Sequence, residues 1–291
     1  MFLRTLSRTT PSRLTATSLT WWICGSTIVG GGRLQSTVVE TAPNGAPVTD
    51  TNRAEATQRR FWKTVGIEPR DSSLTVTLDG RSLRTPSGQK LVLPKDKSLA
   101  ATLIAAEWDH QEILLKPHAL PMTSIVSRAL DAMQDPVTRT EVHEQLLKYL
   151  DTDTVCFFHD QPEPLERLQS EYWTPLLDWA RETFGVKINV SNSVLAVKQP
   201  VETRDKLRKV LESLDHWELA AVERATYASK SIIIALAVVK KHLTVEQAAL
   251  AASVEVNSQI ERWGEVEDTH DVDYQDVRRQ LGSAAVILST L

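Results

Sequence analysis

Cysteine is scarce in this sequence of 291 residues: it occurs twice, so the chain can form at most one internal disulfide and is not a disulfide-stapled scaffold. The two glycine patterns that cradle phosphates, G-x-x-x-x-G-K-[ST] and G-x-G-x-x-G, are absent, which disfavours the common classes of nucleotide-using enzyme. The patterns H-E-x-x-H, C-x-x-C and G-x-S-x-G are absent as well. No familiar motif for metal-dependent or nucleophilic catalysis therefore remains.

Neither a strong excess of charge nor a long hydrophobic run is present. The 33 Lys and Arg residues nearly balance the 37 Asp and Glu residues, and a net charge of −4 gives no general attraction to nucleic acid or anionic lipid. The apolar runs 19–29 and 231–239 are too short to cross a bilayer. With 42% hydrophobic residues, the composition is that of an ordinary globular protein with one large or two modest domains. We expect no nucleic-acid partner and no stable membrane insertion.

The first 35 residues differ in composition from the rest. They contain four arginines, no lysine and no acidic residue, and they are dense in serine and threonine. This composition is typical of a mitochondrial transit peptide, which we predict at 1–35. A secretory signal with 19–29 as its apolar core, belonging to a secreted helical binding protein, is the alternative. It is less favoured because the arginines are spread along the segment instead of gathered before that core.

Residues 36–57 are small and polar and contain proline and glycine, which is typical of a flexible linker. Cleavage near Arg33 would remove Cys24 and leave Cys156 alone, which suits a thiol-reducing compartment such as the mitochondrial matrix. Residues 1–52 hold four of the basic and two of the acidic residues, so the remainder carries 29 against 35 and a net charge of −6. The folded part is therefore acidic.

The pattern over 58–160 predicts an α+β domain, an antiparallel β meander followed by helices. Apolar residues alternate with threonine over 74–78, which indicates a strand, and Asp79-Gly80 is a strong hairpin signal. The sequence further predicts strands at 81–84 and 90–93, a helix over 99–109 capped by Ser98, helices at 123–133 and 138–149, and a short strand at 154–158.

The pattern over 161–291 predicts an all-α bundle. Thr174-Pro175 is typical of a helix start, and Gly185 of a helix end. The run 231–239 lies within a long apolar stretch, 216–241, and predicts the central helix of the bundle. The remaining predictions are a helix around 207–214, a capping box at Thr244 and Gln247, a single apolar stripe from Val245 to Trp263 ended by Gly264, and a last helix over 274–291.

One polar cluster offers the residue types that bind metals. Asp151, Asp153, Cys156 and His159 include both hard and soft ligands. A strand at 154–158 would turn Cys156 into the core, however, where a small apolar side chain is the commoner role for cysteine. We therefore expect no metal at this cluster.

Two further clusters of acids are candidates for acid/base chemistry. His270, Asp271 and Asp273 lie where the last helix begins, a place where the helix dipole favours acids without any bound cation. Glu107 and Asp109 flank a tryptophan, which more commonly anchors a helix while its acidic neighbours face water. A metal- or carboxylate-dependent hydrolase that uses these residues is the alternative function.

Seven segments of the chain occur in the order that they have in one known family. They are R-F-W (60–62), L-D-G-R-S-L-R-T-P-S-G (78–88), A-A-E-W-D-H-Q (105–111), L-L-K-Y-L-D-T-D-T-V-C-F (146–157), Y-W-T-P-L-L-D-W-A (172–180), L-T-V-E-Q-A (243–248) and S-Q-I-E-R-W-G-E-V-E-D-T-H-D-V-D (258–273). The chain thereby resembles the mitochondrial F(1)-ATPase assembly chaperones known as assembly factor 2. The resemblance covers roughly 58–288.

This resemblance implies a chaperone without enzymatic activity, with a small α+β domain followed by an orthogonal helical bundle. Family members hold the newly imported α subunit and shield the surface that later meets the β subunit. The expected partner is therefore the α subunit of mitochondrial F(1)-ATPase, in the matrix or at the periphery of the inner membrane. No cofactor, metal or nucleotide is implied. An unassembled subunit exposes a large apolar interface that would otherwise aggregate.

The resemblance also implies which residues contact the partner. These positions are Glu255, Gln259, Trp263, Glu265 and Glu267 in the C-terminal helices, and Trp108 in the E-W-D motif. For Trp108, a role as a core anchor is an equal alternative. The family often has aspartate where this chain has Thr174. Since both residue types cap helices, the expected fold is unchanged, but threonine cannot make a contact that depends on the charge of that acid.

Overall fold

A computed structural model describes residues 59–193 and 197–290 of the chain. The predicted transit peptide at 1–35 and linker at 36–57 lie outside these residues. An antiparallel sheet followed by helices confirms the expected fold class. All the described residues fall within one compact unit, and the division into domains at 58–160 and 161–291 stays a prediction.

The described chain opens with a sheet of four short strands. They are β1 (Val65–Arg70), β2 (Ser73–Leu78), β3 (Arg81–Ser82) and β4 (Val92–Pro94). β1 pairs with β2 along its whole length, while β3 and β4 pair with opposite ends of β2. The hairpin at Asp79-Gly80 is confirmed, because both residues adopt positive φ angles, 49° and 74°, as a tight two-residue turn requires.

Strand β2 is buried on both faces, although its alternating pattern predicts burial on one. Val76 and Leu78 are buried, and so are Thr75 and Thr77. The reason is the central position of β2, which has neighbouring strands on its two edges and contacts the following helix. Threonine is compatible with this site because its hydroxyl can find a partner, as that of Thr77 does with the Gly66 carbonyl at 3.4 Å.

Strand β1 escapes prediction from the sequence because Gly66 and Pro69 interrupt its apolar pattern. Its start is fixed by the hairpin turn instead. The backbone N–H groups of Thr64 and Lys63 donate to the Asp79 carboxylate at 2.8 and 3.0 Å. These hydrogen bonds lower the pKa of Asp79. A single turn residue thus orders both the hairpin and the segment that enters β1.

Three helices follow the sheet and confirm the predicted ones to within a few residues. They are α1 (Ser98–Asp109), α2 (Pro121–Asp131) and α3 (Pro136–Lys148). The predicted cap at Ser98 is wrong: this residue is the first of α1, which continues from a 3₁₀ turn at Lys95–Lys97 without a side-chain cap. At α3, Asp135 is the N-cap and accepts from the Thr138 N–H at 2.8 Å.

The strand predicted at 154–158 is wrong as well. Thr154–Cys156 forms a 3₁₀ turn, and Phe157 contributes no more than an isolated bridge. The carboxylate of Asp153 accepts from the Val155 N–H at 3.2 Å. This local hydrogen bond takes up a backbone donor that a strand would need, so the β-favouring side chains do not decide the structure.

The second half of the described chain is helical. Its helices are α4 (Glu163–Leu168), α5 (Thr174–Phe184), α6 (Val201–Ser213), α7 (His216–Ser229), α8 (Ile232–Val239), α9 (Val245–Ala252), α10 (Val254–Trp263) and α11 (Thr269–Ile287). A π-helical turn, Gln169–Trp173, joins α4 to α5 without a break. Thr174 therefore has helical angles and makes no capping hydrogen bond, which contradicts its predicted role. The wider turn accommodates Pro175, which has no N–H to donate.

The apolar stretch 216–241 contains two helices. Lys230 adopts a φ of 55° at the end of α7, and Ser231 then caps α8 by accepting from the Ile234 N–H at 3.0 Å. Every residue of α8 is buried, as expected of a central bundle helix. α8 is too short to span a bilayer, and no other helix within the described residues has both the length and the hydropathy to do so.

The stripe predicted from Val245 to Trp263 also divides, because the helix is interrupted at Ser253 between α9 and α10. The capping box at Thr244 and Gln247 is confirmed, as is the helix end at Gly264, whose φ is 87°. The interruption lets the end of α10 leave the core. Periodicity that runs unbroken through the sequence therefore overstates how much of this segment is buried.

The two halves share one continuous core, in which α2 packs against α7 and α11. Asp153 strengthens the connection, because its second carboxylate oxygen accepts from the Ile233 N–H of α8 at 3.2 Å. The side chain is fully buried, and this burial raises the pKa of Asp153 to about 6. A carboxyl at the N-terminus of α8 is favoured by the helix dipole but costs desolvation when it ionises.

We expect Asp153 to make stability depend on pH. Its pKa is about 6 in the folded state and 3.8 in the unfolded state. Between these pH values the folded state binds more protons than the unfolded state, so the free energy of unfolding falls as pH rises. In the wild type this carboxyl should lower the free energy of unfolding by about 2–3 kcal/mol across this pH range. The variant Asp153→Asn should lack this decrease. Urea unfolding followed by tryptophan fluorescence at several pH values from 4 to 8 measures it.

The exposed Asp160→Asn variant is the control and should keep the pH dependence of the wild type. Because other groups titrate in the same range, the quantity compared is the difference between each variant and the wild type. Equal pH dependence of the wild type and Asp153→Asn would contradict the role given to this carboxyl.

Candidate functional site

Several large apolar side chains are exposed where α10 turns into α11. We call residues 263–274 the acidic tip. Four large apolar side chains are exposed there: Trp263 by 70%, Val266 by 59%, Val272 by 64% and Tyr274 by 49%. Five acids are interspersed among them, Glu265, Glu267, Asp268, Asp271 and Asp273. Apolar side chains clustered on a surface and rimmed by charge are typical of a protein-binding site.

Local hydrogen bonds give the acidic tip a defined shape. Gly264, with its φ of 87°, ends α10, and the backbone N–H of Val266 donates to Nδ1 of His270 at 2.9 Å. At the base of the tip, the Arg278 guanidinium lies 3.2 Å from the centre of the Tyr274 ring and donates to Glu246 of α9 at 2.8 and 2.6 Å. The tip is therefore braced against the bundle although its side chains face solvent.

Three of the predicted contact residues come together where α10 enters the tip. Glu255, Gln259 and Trp263 are spaced by four residues along α10 and line a small cavity of about 190 Å³ with Pro162 and Leu165. An ion pair between Arg167 of α4 and Glu261 of α10, with an N–O distance of 2.7 Å, holds the two helices together. Glu265 and Glu267 follow in the adjoining turn, so five of the six predicted residues share this region.

Trp263 departs from the burial that the apolar stripe predicts. Its indole is 70% exposed, and the Arg262 guanidinium lies 5.1 Å from the ring centre. The half-buried Val256 and Ile260 mark the gradual exit of α10 from the core. A tryptophan in this position adds little to the core of its own protein and is available for a partner.

Trp108, the sixth predicted residue, lies elsewhere and is half-buried. Its ring packs against Trp62 at 4.9 Å between centres, and its Nε1 donates to the Thr123 hydroxyl at 3.0 Å. The Trp62 Nε1 in turn donates to the Trp108 carbonyl at 3.2 Å. These contacts give Trp108 an anchoring role, and its role as a partner contact stays a prediction.

The acids that flank Trp108 have separate structural roles. Both Glu107 oxygens accept from the start of α2: from the Met122 N–H at 2.5 Å, and from the Thr123 N–H and hydroxyl at 2.9 and 2.7 Å. Burial raises the pKa of Glu107, against the opposing effect of these hydrogen bonds. Asp109 is exposed and lies 3.7 Å from the Arg60 guanidinium. An acid/base pair is not formed.

The hydrolase alternative finds no support in the structure. His270 uses Nδ1 locally, and Asp271 and Asp273, two residues apart on α11, point to different sides of the helix. Across the part of the chain that the structure describes, no three His, Cys, Asp or Glu residues are grouped to hold a metal ion. The cluster is an acidic helix start at the surface, as the helix dipole favours.

The candidate cluster at 151–159 is likewise structural. Asp151 pairs with Arg204 at 2.7 Å, and Asp153 caps α8 as described above. Cys156 is fully buried, in agreement with its expected core role, and burial raises the pKa of its thiol. The Sγ atom lies 3.8 Å from Nε2 of Gln199.

A larger cleft between α2 and α7 is a feature that the sequence reasoning missed. We call it the arginine cleft. It has a volume of about 880 Å³, and its lining includes Trp108, Arg84, Arg128, Arg224 and Glu223. Arg128 donates to Glu223 at 2.9 and 2.8 Å, and Glu223 is 6% exposed. The available signal was a charged pair within the apolar run A-A-V-E-R-A of α7, since a buried charge needs a partner.

Comparison with known proteins relates the chain to one family. The sequence profile described as ATP12 chaperone protein matches residues 59–181. Protein atp12, mitochondrial, of Schizosaccharomyces pombe is 37% identical over 237 residues, which cover 79% of this chain and 81% of that protein. Protein ATP12, mitochondrial, of Saccharomyces cerevisiae is 31% identical over 287 residues, which cover 84% and 88%.

Solved structures agree with the sequence relatives. The crystal structure of Atp12 from Paracoccus denitrificans is 31% identical and has a TM-score of 0.66, covering 79% of this chain and 97% of that one. A putative chaperone from Agrobacterium tumefaciens is 29% identical and has a TM-score of 0.68, covering 82% and 90%.

The contrast between two tryptophans provides a test of the site. Trp173 is 1% exposed and donates to the Ala251 carbonyl at 2.8 Å, so Trp173→Ala should lower the free energy of unfolding by about 3–5 kcal/mol. Trp263→Ala, at an exposed position, should cost about 1 kcal/mol or less. Urea unfolding of both variants measures this, and a Trp263→Ala cost close to that of Trp173→Ala would mean that Trp263 is core.

Proposed function

The chain belongs to the ATP12 chaperone family, and on that premise we propose that it binds the free α subunit of mitochondrial F(1)-ATPase. It is a chaperone and not an enzyme. It holds the α subunit in a soluble form until the α and β subunits assemble into the head of ATP synthase. The proposal extends to its place of action, the mitochondrial matrix.

The acidic tip is the observation that carries this proposal. Exposed apolar side chains have no function in the core of this chain, and they attract a partner that buries them. The five acids among them favour a partner surface that is basic as well as apolar. Glu255 and Gln259 adjoin the tip, and we propose that they form the contact together with Trp263, Glu265 and Glu267 of the tip itself.

A free subunit exposes the surface that its partner subunits later cover. Obligate interfaces between subunits are large and apolar, so a free subunit exposes surface that drives aggregation. A chaperone that covers this surface needs complementary shape and charge and no catalytic group. The absence of catalytic motifs from the sequence fits this requirement.

Two observations support a mitochondrial location. Both curated relatives described above carry the word mitochondrial in their names. In addition, the first 35 residues have the arginine-rich and acid-free composition of a transit peptide. Sequencing the N-terminus of the protein purified from mitochondria tests the second point, because removal of this segment is expected.

Charge reversal and truncation on α10 test the contact. Glu255→Lys and Trp263→Ala should each weaken binding to the α subunit by about tenfold or more, since central contacts carry most of the binding energy. Both residues are exposed, so both variants should fold as the wild type does. Binding is measured by fluorescence anisotropy with purified α subunit, and solubility by co-expression of the two proteins.

Two control variants change exposed side chains outside the proposed contact, and they show whether any surface substitution weakens binding. Val137→Ala shortens an apolar side chain that is 68% exposed on α3, and Glu182→Lys reverses an exposed charge on α5. Both should bind the α subunit as the wild type does. If the α subunit stays insoluble beside the wild-type chain, the proposed client is wrong. If Glu255→Lys and Trp263→Ala bind normally, the client stands and the contact lies elsewhere.

A further inference from the structure

The arginine cleft is braced by two polar contacts between α2 and α7. Arg128 of α2 forms the paired hydrogen bonds with Glu223, and Arg224 donates to the Ser124 hydroxyl at 2.8 Å. Ser124 and Arg128 are four residues apart on α2, so the two contacts lie one helical turn apart. The floor of the cleft is therefore held in a fixed shape before any ligand arrives.

The carboxylates of the cleft are already occupied. Glu223 accepts from Arg128, as described above. Asp131 accepts from the Thr85 and Ser87 hydroxyls at 2.6 and 2.5 Å, and from the Ser87 N–H at 3.1 Å. Both acids are thus hydrogen-bonded within the protein itself, and together with Arg84, Arg128 and Arg224 the charged side chains of the lining sum to a charge of +1.

The arginines, in contrast, keep most of their donors. A guanidinium has five N–H groups. Arg128 uses two nitrogens with Glu223, Arg224 uses one with Ser124, and Arg84 uses one with the Gly88 carbonyl at 2.6 Å. Within the described ranges, the lining therefore offers a surplus of positively charged donors. A ligand that matches it brings negatively charged acceptors.

The rest of the lining is largely apolar. Trp108, Leu115, Leu120 and Ile125 contribute to the surface of the cleft, and the Tyr227 ring, 44% exposed, lies at its edge. A volume of about 880 Å³ is much larger than a single anion needs and is within the usual range for ligand pockets. The matching ligand therefore combines carboxylates with apolar side chains.

A phosphate ligand fits the cleft less well. Backbone N–H groups at the start of a helix are the usual phosphate donors. At the start of α2, the N–H groups of Met122 and Thr123 already donate to Glu107. The sequence has no glycine-rich phosphate loop either. Arginine side chains on an apolar floor suit planar carboxylates spaced along a peptide.

We propose that the arginine cleft is a second client-binding site, which takes an acidic and apolar segment of the client polypeptide. The inference rests on the proposed function only in that a client exists. It adds a surface whose charge is opposite to that of the acidic tip. Trp108 then has both an anchoring contact with Thr123 and a ring face available to the bound segment.

The test uses a double charge reversal, Arg84→Glu with Arg224→Glu, in the full chain. Glu223 keeps its partner Arg128 in this variant, so one of the two contacts between α2 and α7 remains, and the urea unfolding midpoint is measured to check that the variant is folded. The probes are labelled twelve-residue peptides of three kinds: acidic and apolar, basic and apolar, and acidic without apolar residues. The wild type should bind the first kind at least about tenfold more tightly than the other two, and the variant should lose this preference.

Raising the salt concentration from about 0.05 to 0.5 M should narrow the difference between the wild type and the variant, because the charges are partly exposed. Arg81→Glu, an exposed reversal on β3, is the matched control and should bind as the wild type does. The α subunit itself is then measured with all three proteins, and about tenfold weaker binding is expected for the double variant.

The outcomes distinguish this inference from the proposed function. If the wild type binds the α subunit but not acidic apolar peptides, the cleft proposal is wrong and the proposed client stands. If the wild type and the double variant bind these peptides equally, the cleft proposal is likewise wrong and the proposed client stands. If acidic apolar peptides bind in the cleft but the α subunit does not bind, the client is wrong and the cleft stands. A salt-dependent dimer of the wild type that the double variant lacks would overturn the proposal in favour of a second copy's acidic tip.

Discussion

The architecture depends on covering one short helix, α8, on all sides. Its eight residues, Ile232–Val239, have no polar side chain and are all buried. Helices α5, α7, α9 and α11 contact it, and each of these helices has at least one buried alanine. The backbone donors at the start of α8 cannot reach water, so Ser231 and Asp153 accept from them. Because Asp153 belongs to the preceding half of the chain, this single requirement also joins the α+β part to the bundle.

Covering α8 uses only part of the helices that surround it. Helix α11 has 19 residues and is about 28 Å long, much longer than the helix it covers. Its buried residues, among them Leu281 and Ile287, lie in the second half, whereas residues 271–275 at the start are all exposed. The acidic tip is therefore a part of the bundle that does not help to bury α8. Exposed Val266 and Val272 contribute little to the core, which is why the tip is the surface proposed for binding.

Local signals made much of this fold predictable from the sequence. Asp79-Gly80, the capping box at Thr244 and the end of a helix at Gly264 each act through their own backbone geometry, so each was found. The break at Ser253 and the exposure of Trp263 were missed because they depend on where the core ends, which periodicity does not record. The contact residues predicted in and beside the tip follow from the family resemblance, because nothing in their residue types or spacing alone indicates a binding site. The arginine cleft was missed because Arg128 and Glu223 are 95 residues apart.

If the acidic tip and the arginine cleft both bind the client, their opposite charges constrain how it is held. Helix α11 provides part of the tip and packs against α2 and α7, the walls of the arginine cleft, so one rigid element connects the two surfaces. A client with one basic and one acidic apolar segment would bind in a single orientation, because the reverse orientation places like charges together. Contacts between partly exposed charges are individually weak, so each of them breaks at a small cost in free energy. Orientation with easy release is what a chaperone needs, since the client must leave for its permanent partner.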